Sequence, residues 1–221
     1  MIPAWFTNLA IISLIGAFLC ALYLALDVIR RPQPMGVMNF VWPITGLYLG
    51  PLAIWWYWTL ARPEKMQMGD SMRRPFWKGI IVDTTHCGAG CVLGDIISEF
   101  AIFFLGLTLA GSTLFAEYAG DFALAFLFGI IFQYFAIAPM RHLTLLPGLR
   151  AAVQADAISL TAFEIGLFLV MYVMTLLPFH EQLNPLVPAF WFLMQIGMAV
   201  GYVTSYPANW FLVRAGIKQP M

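Results

Sequence analysis

The sequence predicts an all-α integral membrane protein, a bundle of about six transmembrane helices in one domain that spans residues 1–221. Hydrophobic residues make up 62% of the chain, and charged residues make up only 10%. A soluble domain carries about 25% charged residues, so a soluble fold would leave too little charge for its surface. Apolar stretches of about 20 residues, the length that a helix needs to cross a bilayer, recur along the chain.

Six apolar segments have this length, and each is predicted to be a transmembrane helix. In chain order they are Leu9–Ile29, Val37–Leu60, Cys91–Leu109, Ala123–Ala138, Ile158–Pro178 and Ala189–Val213. The second segment differs from the others because Pro43, Gly50 and Pro51 predict a kinked or broken helix. Five spanning helices plus a re-entrant second segment are therefore the alternative interpretation.

The positions of lysine and arginine predict the orientation. Basic residues lie between the second and third segments, between the fourth and fifth, and after the sixth, whereas the other connections between the last four segments have none. Basic loops stay in the cytoplasm, so we expect a multi-pass inner-membrane protein with a cytoplasmic C-terminus. Six crossings would leave Arg30 and Arg31 outside. A re-entrant second segment with an outside N-terminus removes this conflict.

The start of the third segment carries a stripe of reactive side chains. Cys87, Cys91, Asp95 and Glu99 recur every four residues, which places them along one face of a helix. Cysteine with histidine is a common zinc ligand set, and cysteine with methionine and histidine suits Cu(I). The predicted ligands of a copper or zinc ion are His86, Cys87, Cys91, Asp95 and Met140. The alternatives are thiols that only fill the core, or a thiol redox pair.

The predicted topology brings polar side chains of the last four helices together in one cluster that opens to the cytoplasm. The expected pocket or relay residues are Glu99, Gln133, Asp156, Glu164, Gln195, Tyr206 and Asn209. Ionisable groups inside spans are costly and usually functional. The alternative reading is that these groups only hydrogen-bond the helices to each other.

These motifs resemble a bacterial integral-membrane family known only as a domain of unknown function. The resemblance rests on His86-Cys87-Gly88-Ala89-Gly90-Cys91 with Gly94-Asp95, Phe132-Gln133-Tyr134, Ala138-Pro139-Met140, Ala155-Asp156 with Ser159-Leu160, Ser205-Tyr206-Pro207-Ala208-Asn209-Trp210 and Gly216-Ile217-Lys218. It covers most of the chain after about Trp42. It implies a protein with several membrane spans and supplies no catalytic residue, so the catalytic residues are unknown.

The predicted function is the binding or handling of copper or zinc at the intramembrane cluster, with the carboxyl groups as a relay for the ion or for protons. His180 and Glu181 are the only outer candidates, which favours storage, sensing or insertion over full transport. The alternatives are a metal-dependent or thiol-redox membrane enzyme and an accessory subunit of a larger membrane complex. Expected partners are the lipid bilayer, the metal ion and a membrane protein or second copy. The zero net charge gives nucleic acid nothing to bind.

Overall fold

The computed structural model describes residues 1–62 and 75–218, and these residues form helices without any strand. The helices are α1 (Ala4–Arg30), α2 (Met38–Leu49), α3 (Pro51–Trp56), α4 (Phe76–Leu105), α5 (Thr113–Arg141), α6 (Leu145–Thr175) and α7 (Pro188–Arg214). A π-helical turn, Tyr57–Ala61, continues α3, and a 3-10 turn, His180–Gln182, lies between α6 and α7. The all-α prediction is confirmed for the described residues.

Four of these helices are long and apolar enough to cross a membrane. They are α1, α4, α5 up to Pro139, and α6, whose most apolar stretches have mean hydropathies from 1.7 to 2.6. Helix α7 is 27 residues long but is not among the four. The predicted number of six membrane crossings is therefore not confirmed.

The long helices run between two ends of the bundle, which we call the Lys218 end and the His180 end. Helices α4 and α5 are antiparallel neighbours, and so are α6 and α7. The backbone N–H of Ile2 donates a 3.0 Å hydrogen bond to Oε1 of Gln182, and the ring of Phe6 lies 5.5 Å from that of Phe179. Helix α1 therefore begins at the His180 end and finishes at the Lys218 end.

Helices α2 and α3 form a hairpin whose two ends both lie at the Lys218 end. Gly50, with a φ of 53°, and Pro51 break the apolar segment between them. Beyond this break the chain returns, because the Tyr57 hydroxyl donates a 2.7 Å bond to Asp27 near the end of α1, and Arg62 Nε lies 3.8 Å from the same carboxylate. The second apolar segment does not run from end to end as six crossings require. A hairpin at this place is what the re-entrant interpretation predicts, while its five crossings stay a prediction.

Helices α4 and α5 approach each other closely along glycines. A Cβ atom added to Gly90 would lie only 2.6 Å from the Cα atom of Gly129, and one on Gly94 would collide with the backbone at Ala125. Small residues permit such contact between helix backbones. This close approach fixes which residues of the two helices lie side by side.

Three helices begin well before the predicted segments. Helix α4 begins at Phe76 rather than Cys91, α5 at Thr113 rather than Ala123, and α6 at Leu145 rather than Ile158. The added turns contain polar residues that lower their hydropathy. Asp83, Thr84 and Thr85 are nevertheless fully buried, because the bundle rather than lipid surrounds them.

Candidate polar pathway

A series of buried polar side chains follows the interior of α4 to α7 from the Lys218 end towards the His180 end. From the Lys218 end its members are Lys218, Asn209, Asp156, Ser159, Ser205, Cys87, Cys91, Glu164, Asp95, Ser98, Asp121 and Glu99, and none is exposed by more than 2%. From Cys87 to Glu99 alone, α4 rises by about 18 Å, at 1.5 Å per residue. The polar groups therefore extend over much of the length of the bundle.

The series begins with a buried ion pair. The Nζ atom of Lys218 lies 2.6 Å from Oδ1 of Asp156 and donates a 2.9 Å bond to Oδ1 of Asn209. Gly216, with a φ of 71°, turns the chain after α7, and the backbone N–H of Lys218 bonds to Leu212. This turn directs the lysine back into the bundle. Burial opposes the charged form of Lys218, but the Asp156 carboxylate offsets this and raises the pKa of Lys218 above its ordinary value.

Serine hydroxyls connect this ion pair to the first thiol. The Ser159 hydroxyl lies 3.1 Å from Oδ1 of Asp156, and the Cys87 thiol donates to that hydroxyl over 3.5 Å. The Ser205 hydroxyl donates a 2.9 Å bond to the Ser159 carbonyl and lies 3.9 Å from the Cys87 sulfur. Asn209 donates to the Ser205 hydroxyl over 3.1 Å. We call these six residues, Lys218, Asp156, Asn209, Ser159, Ser205 and Cys87, the Lys218 network.

The two thiols lie one turn apart on α4 and connect the Lys218 network to the carboxyl groups. Cys87 and Cys91 are fully buried and are free thiols. Cys91 interacts electrostatically with Cys87, Glu164 and Asp95. The side chains of the predicted stripe therefore face the interior of the bundle, where Glu164 of α6 lies beside them.

Four carboxyl groups, which we call the carboxyl row, continue the series towards the His180 end. They are Glu164, Asp95, Asp121 and Glu99. Asp95 interacts electrostatically with the other three. No carboxyl oxygen of the row forms a hydrogen bond to another described residue that meets ordinary geometric limits. An ionised carboxylate in such surroundings costs several kcal/mol, about the magnitude of an effective buried-ion penalty. The row therefore favours bound protons or a bound cation.

An open cavity lies beyond the carboxyl row at the His180 end. Its volume is about 360 Å³, and Glu117, His180 and Glu181 line it together with apolar side chains. Glu117 is one turn from Asp121 on α5 and interacts electrostatically with both Asp121 and Glu99. The carboxyl row thus leads from the Lys218 network to a cavity at the opposite end.

Two predicted residues lie beside α5 at the level of the Lys218 network. The ring of His86 lies 6.3 Å from the ring of Phe132 and interacts electrostatically with Asp156 and Lys218. Gln133 is also buried, and the contact between Gly90 and Gly129 places it at the level of His86. Gln133 is therefore about 20 Å along the helix axis from Glu99, at 1.5 Å per residue, and the expected meeting of these two side chains was wrong.

Two further predicted pocket residues lie outside the pathway. Gln195 accepts a 2.9 Å bond from Ser13 and donates a 2.7 Å bond to the Leu47 carbonyl, so it joins α7 to α1 and α2. Tyr206 is half-buried and its ring contacts Trp210. Tyr202, one turn earlier on α7, is the buried tyrosine and donates a 2.9 Å bond to the Ile81 carbonyl.

The predicted metal ligands are only partly brought together. Cys87, Cys91 and Asp95 share the stripe, whereas the ring of His86 lies beside Phe132, and the side chain of Met140 lies outside what the structure describes. Among the described residues, no three or more histidine, cysteine, aspartate or glutamate side chains are placed to share one metal ion. The copper or zinc site stays a prediction.

Five members of the series lie outside the predicted site, namely Lys218, Ser159, Ser205, Ser98 and Asp121. Asp121 was assigned to a connection, but it is a buried residue of α5. Lys218 follows the predicted sixth segment, where basic residues are expected in the cytoplasm, and Ser205 belongs to a motif of the resemblance. The spacing of Asp121 four residues after Glu117 was the available signal, since it predicts one helical face.

The comparisons with known proteins give a family and nothing more specific. A family model described as a domain of unknown function matches residues 76–218, which include α4 to α7 and Lys218. The match begins later than the expected start near Trp42. No curated protein and no solved structure is significantly similar to the chain.

Proposed function

This chain belongs to the family of the domain of unknown function DUF4396, and we propose that it is a multi-pass membrane protein that carries protons through its helix bundle. The observation that carries the proposal is the carboxyl row, which joins a buried ion-pair network at one end of the bundle to an open cavity at the other.

The surface of the bundle supports a membrane location. Apolar side chains such as Phe18, Phe104 and Leu169 are more than half exposed, and four helices have the length and hydropathy of spans. Every lysine and arginine that the structure describes lies at the Lys218 end, including Arg30 and Arg31. By the preference of basic residues for the cytoplasm, this end faces the cell interior and the His180 end faces outside.

The route supports transfer in steps. From the outside cavity a proton would pass Glu117 and reach the carboxyl row at Asp121 and Glu99. It would move to Asp95 and Glu164, which lie beside Cys91. The hydrogen-bonded side chains of the Lys218 network then lead to the cytoplasmic end. Chains of buried carboxyl groups in membrane proteins commonly act as proton relays.

The spacing of the carboxyl groups favours protons as the cargo. Four acidic groups within mutual electrostatic reach, with no buried lysine or arginine among them, repel each other when ionised. A proton neutralises one group at a time and needs no cavity. A metal ion would require several ligands directed at one point. Among the described residues, no three or more histidine, cysteine, aspartate or glutamate side chains are placed in this way.

Proton flux into liposomes tests the proposal. Purified protein is reconstituted in vesicles that contain a pH-sensitive dye, and valinomycin with a potassium gradient sets the membrane potential. We expect wild-type protein to acidify or alkalinise the lumen according to the sign of the potential. Asp95→Asn should reduce this flux at least tenfold, because the amide cannot release and rebind a proton.

A matched control is Asp27→Asn, the same change at a carboxyl group outside the carboxyl row. It should retain most of the flux. A wild-type flux no greater than that of protein-free vesicles, or equal losses in the two variants, would contradict the proposal.

A soft metal ion is the second candidate cargo, and the thiol pair favours it. Cys87 and Cys91 are buried one turn apart, and Glu164 interacts with Cys91. Thiolates select Cu(I) and Zn(II) over hard cations. Elemental analysis of protein purified under reducing conditions should then find close to one copper or zinc per chain, lost in the Cys87→Ser, Cys91→Ser double variant. Metal-free protein from metal-replete cells would eliminate this candidate.

A further inference from the structure

The surroundings of the Lys218 ammonium are those of a binding site for a small cation. Its Nζ atom contacts one carboxylate oxygen, Asp156 Oδ1, at 2.6 Å and one amide oxygen, Asn209 Oδ1, at 2.9 Å. The Ser159 hydroxyl shares the same carboxylate oxygen at 3.1 Å. Carboxylate, amide and hydroxyl oxygens are also the groups that bind alkali cations as hard ions. All of these side chains are buried.

The ammonium is held in this place by the fold rather than by chance contact. The turn at Gly216 returns the chain, and the backbone N–H groups of Ile217 and Lys218 both bond to the Leu212 carbonyl. Lys218 is the one lysine or arginine among the described residues that is buried. The carboxylate of Asp83 also interacts electrostatically with it.

We propose that Lys218 is a tethered cation that occupies an oxygen-lined site for a monovalent cation and thereby excludes free cations from the pathway. This inference rests on the proposed function and deepens it, because it limits the cargo to protons. A free sodium, potassium or thallous ion would have to displace the ammonium from Asp156 and Asn209. A proton needs no vacant ion site, since it moves from group to group, and hydrogen bonds lead from the Cys87 thiol through the Ser159 hydroxyl to the Asp156 carboxylate.

Removing the charge while keeping the length of the side chain tests the proposal. Lys218→Met leaves the Asp156 carboxylate without its counter-ion. We expect the variant to bind thallous ion with saturation, seen as a stabilisation of the detergent-purified protein against heat that rises with thallous nitrate concentration. In liposomes with a thallium-sensitive dye, Lys218→Met should pass thallous ion at least tenfold faster than wild type. The double variant Lys218→Met, Asp156→Asn should lose the binding and the flux.

A second variant tests the site by chemical rescue. Lys218→Ala leaves space for the missing propylammonium group, and added n-propylammonium should refill it and suppress the thallous flux. Tetramethylammonium should not, because it has no N–H group to donate to Asp156 and Asn209. Rescue by both amines, or by neither, would contradict a specific ammonium site.

The wild-type protein provides a test that does not depend on any variant folding. We expect it to pass protons and no measurable thallous ion, and a wild type that passes thallous ion overturns the proposal. Lys218→Met that folds, as judged by a symmetric gel-filtration peak, but binds no thallous ion also overturns it. Because cation binding is read in detergent without any flux, a failure of the proposed proton transport is seen separately, as a wild type without proton flux.

Discussion

Gly90 of α4 and Gly129 of α5 face each other so closely that neither helix has room for a side chain between them. A methyl group on Gly90 would lie 2.6 Å from the Cα atom of Gly129. This contact sets the register of α4 against α5. It therefore determines that Asp121, rather than another residue of α5, lies beside the carboxyl groups of α4.

A large side chain at this contact is expected to separate the two helices. Gly90→Leu should lower the free energy of unfolding by at least about 1–3 kcal/mol, because the inserted atoms meet backbone that cannot move aside. Thermal unfolding in detergent measures this. Gly16→Leu on α1 is the control, since a Cβ there has no neighbour within 4 Å. Equal stability of both variants would contradict the close contact.

The same amide substitution should have opposite consequences at two buried aspartates. Asp156→Asn removes the partner of a buried ammonium and should cost about 3–5 kcal/mol of stability. Asp95→Asn removes a carboxyl group without a hydrogen-bond partner among the described residues, so its stability should be no lower than that of wild type. Chemical or thermal denaturation in detergent compares the two. A loss of stability in Asp95→Asn as large as in Asp156→Asn would show that Asp95 has a partner of its own.

The ion pair should give stability a dependence on alkaline pH. The pKa of Lys218 is raised in the folded protein because Asp156 offsets the effect of burial. Its stabilisation is therefore complete below the ordinary pKa of 10.5 and disappears as the pH rises through the higher folded value. The difference in stability between wild type and Lys218→Met should be constant from pH 8 to 10 and shrink above that. A difference that instead shrinks on acidification from pH 8 to 7 would contradict the assignment.

The hairpin predicts which residues share a side of the membrane. In a background with Cys20, Cys87 and Cys91 replaced by serine, single cysteines are introduced at exposed positions and labelled with an impermeant maleimide in intact cells. Ala4→Cys and Gln182→Cys should be labelled together, because α1 begins at the His180 end. Pro34→Cys and His142→Cys should both be protected.

Six crossings would give a different labelling pattern. Ala4→Cys would then behave like His142→Cys, and Pro34→Cys like Gln182→Cys. Labelling after cell lysis is the control for reactivity, since each introduced thiol should then react.

Composition and spacing were enough to predict the helical class and the stripe from Cys87 to Glu99, because a repeat of four residues marks one helical face. They were not enough to count crossings. The segment from Val37 to Leu60 has the apolar length of a span, and hydropathy cannot distinguish one crossing from a chain that doubles back at Gly50. Pro51 indicated the break but not the direction of the chain after it.

The candidate site was predicted in part for a related reason. Asp156, Glu164 and Asn209 were found because polar residues within apolar segments are conspicuous. Lys218 was missed because a lysine after the last helix ordinarily faces water, and only the turn at Gly216 brings it inside. Gln195 was misassigned because sequence gives its helix but not its angular position, which directs it towards Ser13.

Because α2 and α3 return to the end of the bundle from which they start, the chain traverses the bundle an odd rather than an even number of times. With the hairpin, α1, α4, α5, α6 and α7 traverse the bundle in alternating directions, so residues near Ala4 and residues near Lys218 lie at opposite ends of it. The proposed membrane location would put these two ends in different compartments. A reporter enzyme fused before Ala4 and one fused after the last helix would experience different redox conditions. No single soluble protein could then bind both near Ala4 and near Lys218, and each compartment would need a partner of its own.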